Sequence, residues 1–250
     1  MIFKQLFEPT SSTYTYLLGC PQSGEALLID PVFETAERDL NVLQTLGLRL
    51  TYTLDTHIHA DHLTAAQRLK ALARSKIAAP KLDRLSCVDV GIEEGVEFQL
   101  GSIRLRPLHT PGHTDNHHVY VIESDGQTRL FSGDTLLIDG CGRTDFQNGD
   151  SKALFHSVRD KLFTLPDETL VYPAHDYKGR YVSSIAQEKA RNERLRLGIE
   201  LDQFVEIMAN LKLPYPKRMD CAVPANRLCG QCPPEIPESC RGACEVNDQG

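Results

Sequence analysis

The 250-residue sequence is long enough for one substantial hydrophobic core, and its composition, 41% hydrophobic and 24% charged, is that of an ordinary globular protein. The formal net charge of −7 argues against binding to nucleic acids or to anionic membrane surfaces, because both depend on basic protein surfaces. No stretch reaches the about 20 apolar residues of a transmembrane helix, and the N-terminus lacks the pattern of a secretion signal, so we expect a cytoplasmic protein without membrane contacts.

The first third of the sequence alternates strand and helix patterns. Period-two alternation of apolar residues predicts strands, and apolar residues at helical spacing predict helices. The predicted strands are residues 2–7, 13–18, 26–29, 50–54 and 76–79, and the predicted helices are residues 34–46 and 63–72. Gly47 supplies the expected end of the first helix.

The rest of the sequence predicts a second β-rich half that ends in helices. The predicted strands are residues 96–100, 103–108, 119–123, 128–131 and 169–172, and the predicted helices are residues 151–163, 181–197 and 200–211. Two β-rich halves with interspersed helices favour stacked sheets covered by helices, in one domain over residues 1–220. Periodicity disappears from Pro214 onward, and we predict that residues 221–250 are an irregular tail rich in cysteine and proline.

The densest group of polar residues has the spacing H-x-H-x-D-H and consists of His57, His59, Asp61 and His62. It follows the predicted strand 50–54 directly and precedes a predicted helix. A loop between a strand and a helix allows a rigid scaffold to direct several side chains at one point. The spacing therefore predicts a metal site.

Three later loops resemble further parts of this site, since each places a His or an Asp just after a predicted strand. His113 follows strand 103–108, Asp134 follows strand 128–131, and His175 follows strand 169–172. Each is a weak signal alone. Together with the first motif they give seven candidate ligands in a fixed order.

In this order the four segments resemble the metallo-β-lactamase superfamily, over roughly residues 1–215. The resemblance implies an α/β fold, an αββα sandwich that carries the motifs at one edge. In the two-metal hydrolases of this superfamily the matching residues would hold two ions. One ion would be held by His57, His59 and His113 and the other by Asp61, His62 and His175, with Asp134 as the bridge.

A longer segment resembles one branch of the superfamily, the persulfide dioxygenases. The matching core is Gly140-Cys141-Gly142-Arg143-Thr144-Asp145-Phe146, and Phe7-Glu8-Pro9, 172–177 and 222–226 match too. The resemblance implies oxidation of glutathione persulfide by O2 to sulfite and glutathione, by a protein that forms a homodimer. It also implies one ferrous ion per chain and no second metal.

The implied iron ligands are His57, His113 and Asp134. Two imidazoles and one carboxylate leave coordination positions open, which suits a non-haem iron oxygenase, whereas zinc has no redox chemistry. The remaining candidates would then not bind the metal but would orient its ligands. They are His59, Asp61, His62 and His175.

Two alternatives stay open. The glutathione thioester hydrolases (glyoxalase II type) share the Gly-Cys-Gly-Arg core but usually continue with an aromatic-Glu-Gly pattern, and all seven ligands of a binuclear hydrolase are present in this chain. The other alternative is a sulfur-carrier or interaction protein without catalytic activity, whose cysteine tail would be the working part.

Four residues are predicted to contact the substrate. The planar guanidinium of Arg143 suits a glutathione carboxylate, with an ion pair to Asp139 or Asp145 as the alternative. Tyr177 would contact the substrate or else pack in the core. The resemblance implies that a basic pair, Lys217 and Arg218, helps to hold the tripeptide, and the alternative is a solvated surface pair.

His117 and His118 depart from the family, which tends to carry glycine and a small residue here, so we expect an altered pocket. Cys141 is either a redox-sensitive thiol or a small buried residue.

The cysteines are unevenly distributed, with five of the eight in the last 30 residues. Without a secretion signal a disulfide framework is not expected. Zinc binding, a redox dithiol or an unspecialised thiol-rich tail are the three interpretations. The residues concerned are Cys229, Cys232, Cys240 and Cys244.

Overall fold

The structure, a computed structural model, describes residues 1–235 and Cys240. The strands in this part of the chain form two six-stranded mixed sheets. The chain divides into two compact units. The N-terminal unit comprises Ile2–Gly91 with the described part of Pro214–Gly250, and the central unit comprises Ile92–Leu213 with Met1.

The N-terminal unit is built on a sheet whose strands follow chain order. They are β1 (Ile2–Glu8), β2 (Thr13–Cys20), β3 (Glu25–Ile29), β4 (Arg49–Leu54), β5 (Lys76–Pro80) and β6 (Val90–Ile92). The first three pair antiparallel, and β3, β4 and β5 pair parallel. Parallel pairing requires crossover connections, which α1 (Ala36–Thr45) and α2 (Ala66–Ala73) supply. Leu17, Leu28 and Leu69 form part of the core on this sheet.

The C-terminal segment of this unit contains a helix that the sequence did not predict. Helix α6 spans Met219–Asn226 and includes Pro224. Its buried residues Ala222 and Ala225 pack with Phe33 and Leu63. Short helices draw most of their stability from such packing, and a helix with a proline and little amphipathic pattern leaves no periodic signal.

Disulfides correct the interpretation of the cysteine-rich tail. Cys87 is bonded to Cys229 and Cys221 to Cys240, with Cα–Cα distances of 6.1 and 5.5 Å. Cys232 is also disulfide-bonded. The expectation that the chain has no disulfide framework is wrong. The structure also contradicts a zinc site that needs the thiolates of Cys229 and Cys240, and a redox pair formed by Cys229 and Cys232, because Cys229 and Cys240 are bonded to other cysteines. Cys244 lies outside the described residues.

The central unit is built on the second sheet, in the order β12-β11-β10-β9-β8-β7. Its strands are β7 (Phe98–Leu100), β8 (Ile103–His109), β9 (His118–Ser124), β10 (Gln127–Gly133), β11 (Leu170–Pro173) and β12 (Ser183–Ser184). Its helices are α3 (Ser151–His156), which continues into a π-helical turn, α4 (Ile185–Arg191) and α5 (Leu201–Ala209). Leu130, Leu154 and Phe204 are fully buried in the core of this unit.

The helix predicted over residues 181–197 is much shorter in the structure, where α4 ends before Asn192. The side-chain oxygen of Asn192 accepts hydrogen bonds from the backbone N–H groups of Arg194 and Leu195. Its amide nitrogen donates to Gly140 O and to the buried carboxylate of Glu188. Asparagine side chains compete in this way with the helical hydrogen bonds of the backbone, so the turn replaces the last part of the predicted helix.

The other predicted helices and strands agree with the structure to within a few residues, and the short strands β6 and β12 are additional. The predicted mixed α/β class is confirmed. None of the helices in the described ranges has the length and apolar character needed to cross a membrane.

The burial of Asp39, on α1, can be tested through the pH dependence of the free energy of unfolding. Its carboxylate is buried beside Arg38 Nε at 2.8 Å, and burial, which outweighs the attraction of Arg38, raises its pKa from 3.8 to about 6. A carboxyl whose pKa is higher in the folded than in the unfolded state lowers stability as the pH rises between the two values. The free energy of unfolding of the wild type, relative to Asp39→Asn, should therefore fall between about pH 4 and pH 7, by about 3 kcal/mol at most.

Urea unfolding of both proteins at the two pH values measures this difference. The comparison with the variant cancels every other titrating group. An equal difference at both pH values would show that burial does not perturb Asp39.

Candidate metal centre

The H-x-H-x-D-H motif forms the loop between β4 and α2 in the N-terminal unit, as the sequence predicted. The rings of His57, His59 and His62 are buried, whereas Asp61 is partly exposed. Buried imidazoles need hydrogen-bond partners, and those partners fix the direction of each ring.

His57 is oriented by the hydroxyl of Thr56. That hydroxyl donates to Asp30 Oδ2 at 3.0 Å, so its oxygen accepts from Nδ1 of His57 at 2.9 Å. The proton of the ring therefore lies on Nδ1, and Nε2 carries the lone pair that a metal ligand needs.

The carboxylate of Asp30 is hydrogen-bonded to this loop, and its role was not predicted from the sequence, where Asp30 only ends a strand. It accepts from the backbone N–H of Thr56 at 2.7 Å and lies 3.1 Å from Nε2 of His59. Burial lowers the pKa of His59, but Asp30 and its neighbouring carboxylates raise it to about 9. His59 Nδ1 is buried and has no hydrogen-bond partner in the described part of the chain.

Asp61 and His62 are bound to each other. Nδ1 of His62 lies 2.9 Å from Asp61 Oδ2, which also accepts from the hydroxyl of Thr13 at 3.3 Å. Ligand atoms of His59, Asp61 and His62 nevertheless lie within 4.8 Å of one another, close enough to hold an ion.

The central unit contains the candidate ligands His113, Asp134 and His175, which follow β8, β10 and β11. Nε2 of His113 is 3.4 Å from Asp134 Oδ2, and Nε2 of His175 is 3.6 Å from Asp134 Oδ1. Two donors about 2.1 Å from one ion lie about 3.0 to 3.4 Å apart, so both separations are close to those around a metal. Asp134 Oδ1 is buried and has no hydrogen-bond partner among the described residues, which also fits a metal ligand.

The loop of residues 140–143 holds two of these ligands at once. Nδ1 of His113 donates to the carbonyl of Arg143 at 2.7 Å, which leaves the lone pair on Nε2. The N–H of Gly142 donates to Asp134 O at 2.7 Å. The Gly140-Cys141-Gly142-Arg143 segment thus acts here through its backbone.

His117 and His118 are both buried rather than exposed in a pocket. Nε2 of His117 accepts from the backbone N–H of Asp134 at 3.0 Å, and its Nδ1 lies 3.0 Å from the hydroxyl of Thr135. Nδ1 of His118 donates to Asn116 O. His117 therefore supports the backbone of Asp134, a role that its position in the sequence did not reveal.

Arg143 forms the ion pair that was the alternative to substrate binding. Its Nε and Nη2 donate to the carboxylate of Asp145 at 2.6 and 2.7 Å, and the guanidinium lies 4.6 Å from the ring centre of Phe146. Asp139, the other suggested partner, pairs with Arg180. Asp145 is 55% exposed, so the pair is at the surface.

Tyr177 is 74% exposed, which makes the core-packing interpretation wrong. Its ring stacks on His175 with centroids 6.1 Å apart. In the N-terminal unit, Lys217 is exposed and Arg218 pairs with Glu34 at 2.5 Å.

Cys141 is a buried residue and not a reactive thiol. Burial raises its pKa to about 11, so the sulfur is protonated at neutral pH. It contacts the sulfur of Met208 at 3.8 Å.

Comparison with known proteins identifies the fold. The model of the metallo-β-lactamase superfamily matches residues 9–175. The human mitochondrial persulfide dioxygenase ETHE1 is 48% identical over 232 residues, which cover 92% of this chain and 89% of the relative. The crystal structure of ETHE1 from Myxococcus xanthus is 50% identical, with a TM-score of 0.89, and covers 92% of this chain and 100% of that chain.

A hydroxyacylglutathione hydrolase from Polaromonas is 39% identical over 171 residues, which cover 66% of this chain and 62% of the relative. This similarity is lower and shorter than that to the ETHE1 proteins. The predicted metallo-β-lactamase fold is confirmed.

Gly142 provides a test of how the 140–143 loop holds the ligands. A Cβ atom at Gly142 would lie 2.5 Å from Asp134 O and 2.8 Å from His113 Nδ1, whereas one at Gly140 would have no atom within 4 Å. Gly142→Ala should therefore displace both ligands and weaken Co²⁺ binding by about 10- to 100-fold. Gly140→Ala is the matched control and should bind Co²⁺ like the wild type.

Competition with a chelator measures both affinities, and circular dichroism verifies folding. Equal affinities for the two variants would show that the close approach at Gly142 does not matter to the ligands.

Proposed function

The chain belongs to the metallo-β-lactamase superfamily and, within it, to the persulfide dioxygenases, and we propose that its substrate is glutathione persulfide, oxidised with O2 to sulfite and glutathione. The observation that carries this proposal is the 48% identity to a persulfide dioxygenase over nearly the whole of both chains. The enzyme is accordingly an oxidoreductase.

We propose that His57, His113 and Asp134 hold one ferrous ion per chain. The tautomers of both histidines place the lone pair on Nε2, and Nε2 of His113 lies 3.4 Å from Asp134 Oδ2. Two imidazoles and a carboxylate on one face leave room for substrate and O2. A ferrous ion bound there would supply the redox chemistry that O2 requires.

The protein's part in the reaction is to hold these ligands rigidly. Thr56 and the carbonyl of Arg143 keep the protons of the two histidines on Nδ1. Gly142 and His117 bind the backbone of Asp134 on both sides, at its O and its N–H. Such supporting contacts orient a ligand and preserve the open positions that two reactants need.

Arg143, Tyr177, Lys217 and Arg218 are proposed to bind the glutathione part of the substrate. The planar guanidinium of Arg143 matches a carboxylate, and its present partner Asp145 is 55% exposed. The exposed ring of Tyr177, stacked on His175, presents its hydroxyl to solvent and so to a substrate.

His59, Asp61, His62 and His175 are proposed as supporting residues and not as iron ligands. The contacts of His59 with Asp30 and of His62 with Asp61 are of the kind that fix ring orientation. The same residues also support a second candidate function, that of a binuclear glutathione thioester hydrolase. It is favoured by the complete set of seven ligands and by the cluster of His59, Asp61 and His62.

We further propose a cytoplasmic homodimer that binds neither nucleic acid nor membranes. The net charge of −7 supports the absence of nucleic-acid and membrane partners, and the dimer rests on family resemblance. The mammalian relatives are named as mitochondrial proteins, so localisation by fluorescent fusion in the source cell is the direct test of the compartment.

The substrate and the metal are tested together on protein purified without oxygen. We expect close to one iron and little zinc per chain, O2 uptake that depends on glutathione persulfide, and slow hydrolysis of a glutathione thioester. Two metals per chain with rapid thioester cleavage would establish the hydrolase instead. Stoichiometric iron without persulfide-dependent O2 uptake would overturn the dioxygenase.

The ligand assignment is tested by comparing two substitutions. Asp134→Ala removes a proposed ligand and should abolish iron retention, whereas His62→Ala should leave most of the iron in place. Iron per chain after gel filtration is the measurement, with circular dichroism as the check on folding. Equal loss from both folded variants would contradict a single ion held by His57, His113 and Asp134.

A further inference from the structure

Asn226, the last residue of α6, is hydrogen-bonded to the backbone of the H-x-H-x-D-H loop. Its amide nitrogen donates to His59 O at 2.9 Å and to His62 O at 2.8 Å. Its amide oxygen accepts from the N–H of Thr64 at 2.9 Å. The residue is buried, and all three contacts lie within the N-terminal unit.

Only an asparagine meets the requirements of this position. The three backbone groups comprise two acceptors and one donor, and a carboxamide supplies two donors and an acceptor in one plane. Aspartate would place a carboxylate oxygen against two carbonyl oxygens. Alanine would remove all three of these hydrogen bonds from buried backbone groups, and the loss of a buried partner costs more than a hydrogen bond contributes.

These contacts determine the path of the loop that follows His57. The two carbonyls belong to residues on either side of Asp61, and the N–H of Thr64 lies just before α2. A shift of this backbone would rotate the buried rings of His57 and His59. We propose that Asn226 is a positioning residue for the metal-binding loop and that the Cys87–Cys229 disulfide keeps it in place.

The disulfide lies three residues beyond the amide that it would hold. Cys229 is bonded to Cys87, and its carbonyl accepts from the N–H of Gln67 at the start of α2. Gly230 follows with φ +88°, and a Cβ atom there would lie 2.0 Å from Thr64 O. Residues 226–230 therefore lie directly against residues 64–67, and the disulfide ties them to Cys87, which packs against the same cluster as Ala66 and Cys229.

This inference rests on the proposed metal site, because it takes His57 to be a ligand, but it does not depend on the identity of the substrate. Metal binding is therefore the measurement. Co²⁺ is a suitable probe, since its visible absorption spectrum reports the geometry of its ligands and its release into a chelator reports how firmly they are held.

Asn226→Asp is the first variant, because it conserves size and replaces the two donors. At a temperature far below unfolding we expect Co²⁺ release to accelerate by about 10- to 100-fold and the Co²⁺ spectrum to change. Asn41→Asp, at an exposed position of α1, introduces the same charge and should alter neither. Asn226→Gln retains the amide on a longer side chain and should show a smaller change in the same direction, so it carries the test if the Asp variant does not fold.

The role of the disulfide is tested with Cys87→Ser, alone and combined with Asn226→Asp. If the disulfide acts through Asn226, Cys87→Ser accelerates Co²⁺ release in the wild type and adds little in the Asp variant, as residues that act as one unit do. Independent, multiplicative effects would overturn the link between the two.

A lower melting temperature with an unchanged Co²⁺ spectrum and release rate would overturn the proposal, because a purely structural residue behaves in that way. Failure to oxidise glutathione persulfide would overturn the proposed function and leave these results unaffected. Failure of the wild type to bind Co²⁺ would overturn the metal site and this proposal with it.

Discussion

The buried carboxylate of Asp30 makes the interaction on which the H-x-H-x-D-H loop of the N-terminal unit depends. A charge removed from water is costly unless it is paired and hydrogen-bonded, and among the described residues the Asp30 carboxylate is bonded to Thr56 and His59. That requirement joins the end of β3 to the loop after β4. The direction of His57 follows from it, since the Thr56 hydroxyl that donates to Asp30 can offer His57 only its oxygen.

In the central unit, Asp134 and His113 are likewise held by hydrogen bonds, here mainly to the backbone. Asp134 is held by hydrogen bonds at its O and its N–H, and His113 by the carbonyl of Arg143. The 140–143 loop that makes two of these contacts is itself fixed by Asn192, which binds Gly140. Residues that hold the ligands, and are themselves held by further hydrogen bonds, keep the ligands in one geometry while coordination positions stay open.

Local patterns predicted most strands and the metal motif, because both are encoded over a few neighbouring residues. Three features could not be predicted in this way. Helix α6 is stabilised by packing on Phe33 and Leu63 rather than by its own periodicity, and Cys87 lies 142 residues from its partner. The supporting role of Asp30 likewise depends on a contact across 29 positions, and a single sequence carries no sign of which distant residues will meet.

Binding of a second ion depends on how well it competes with the hydrogen bonds that its ligands already make. Asp61 accepts from His62 and from Thr13, and His59 is bound to Asp30 through Nε2. An ion at this cluster would compete with the hydrogen bonds of the Asp61 carboxylate, but it could bind the other ring nitrogens of His59 and His62, because the existing contacts engage Nε2 of His59 and Nδ1 of His62. Hydrogen bonds that already satisfy buried groups lower the gain from a second ion. The seven candidate ligands therefore do not by themselves distinguish an oxygenase from a binuclear hydrolase, and similarity over nearly the whole of both chains identifies the reaction better than the motif does.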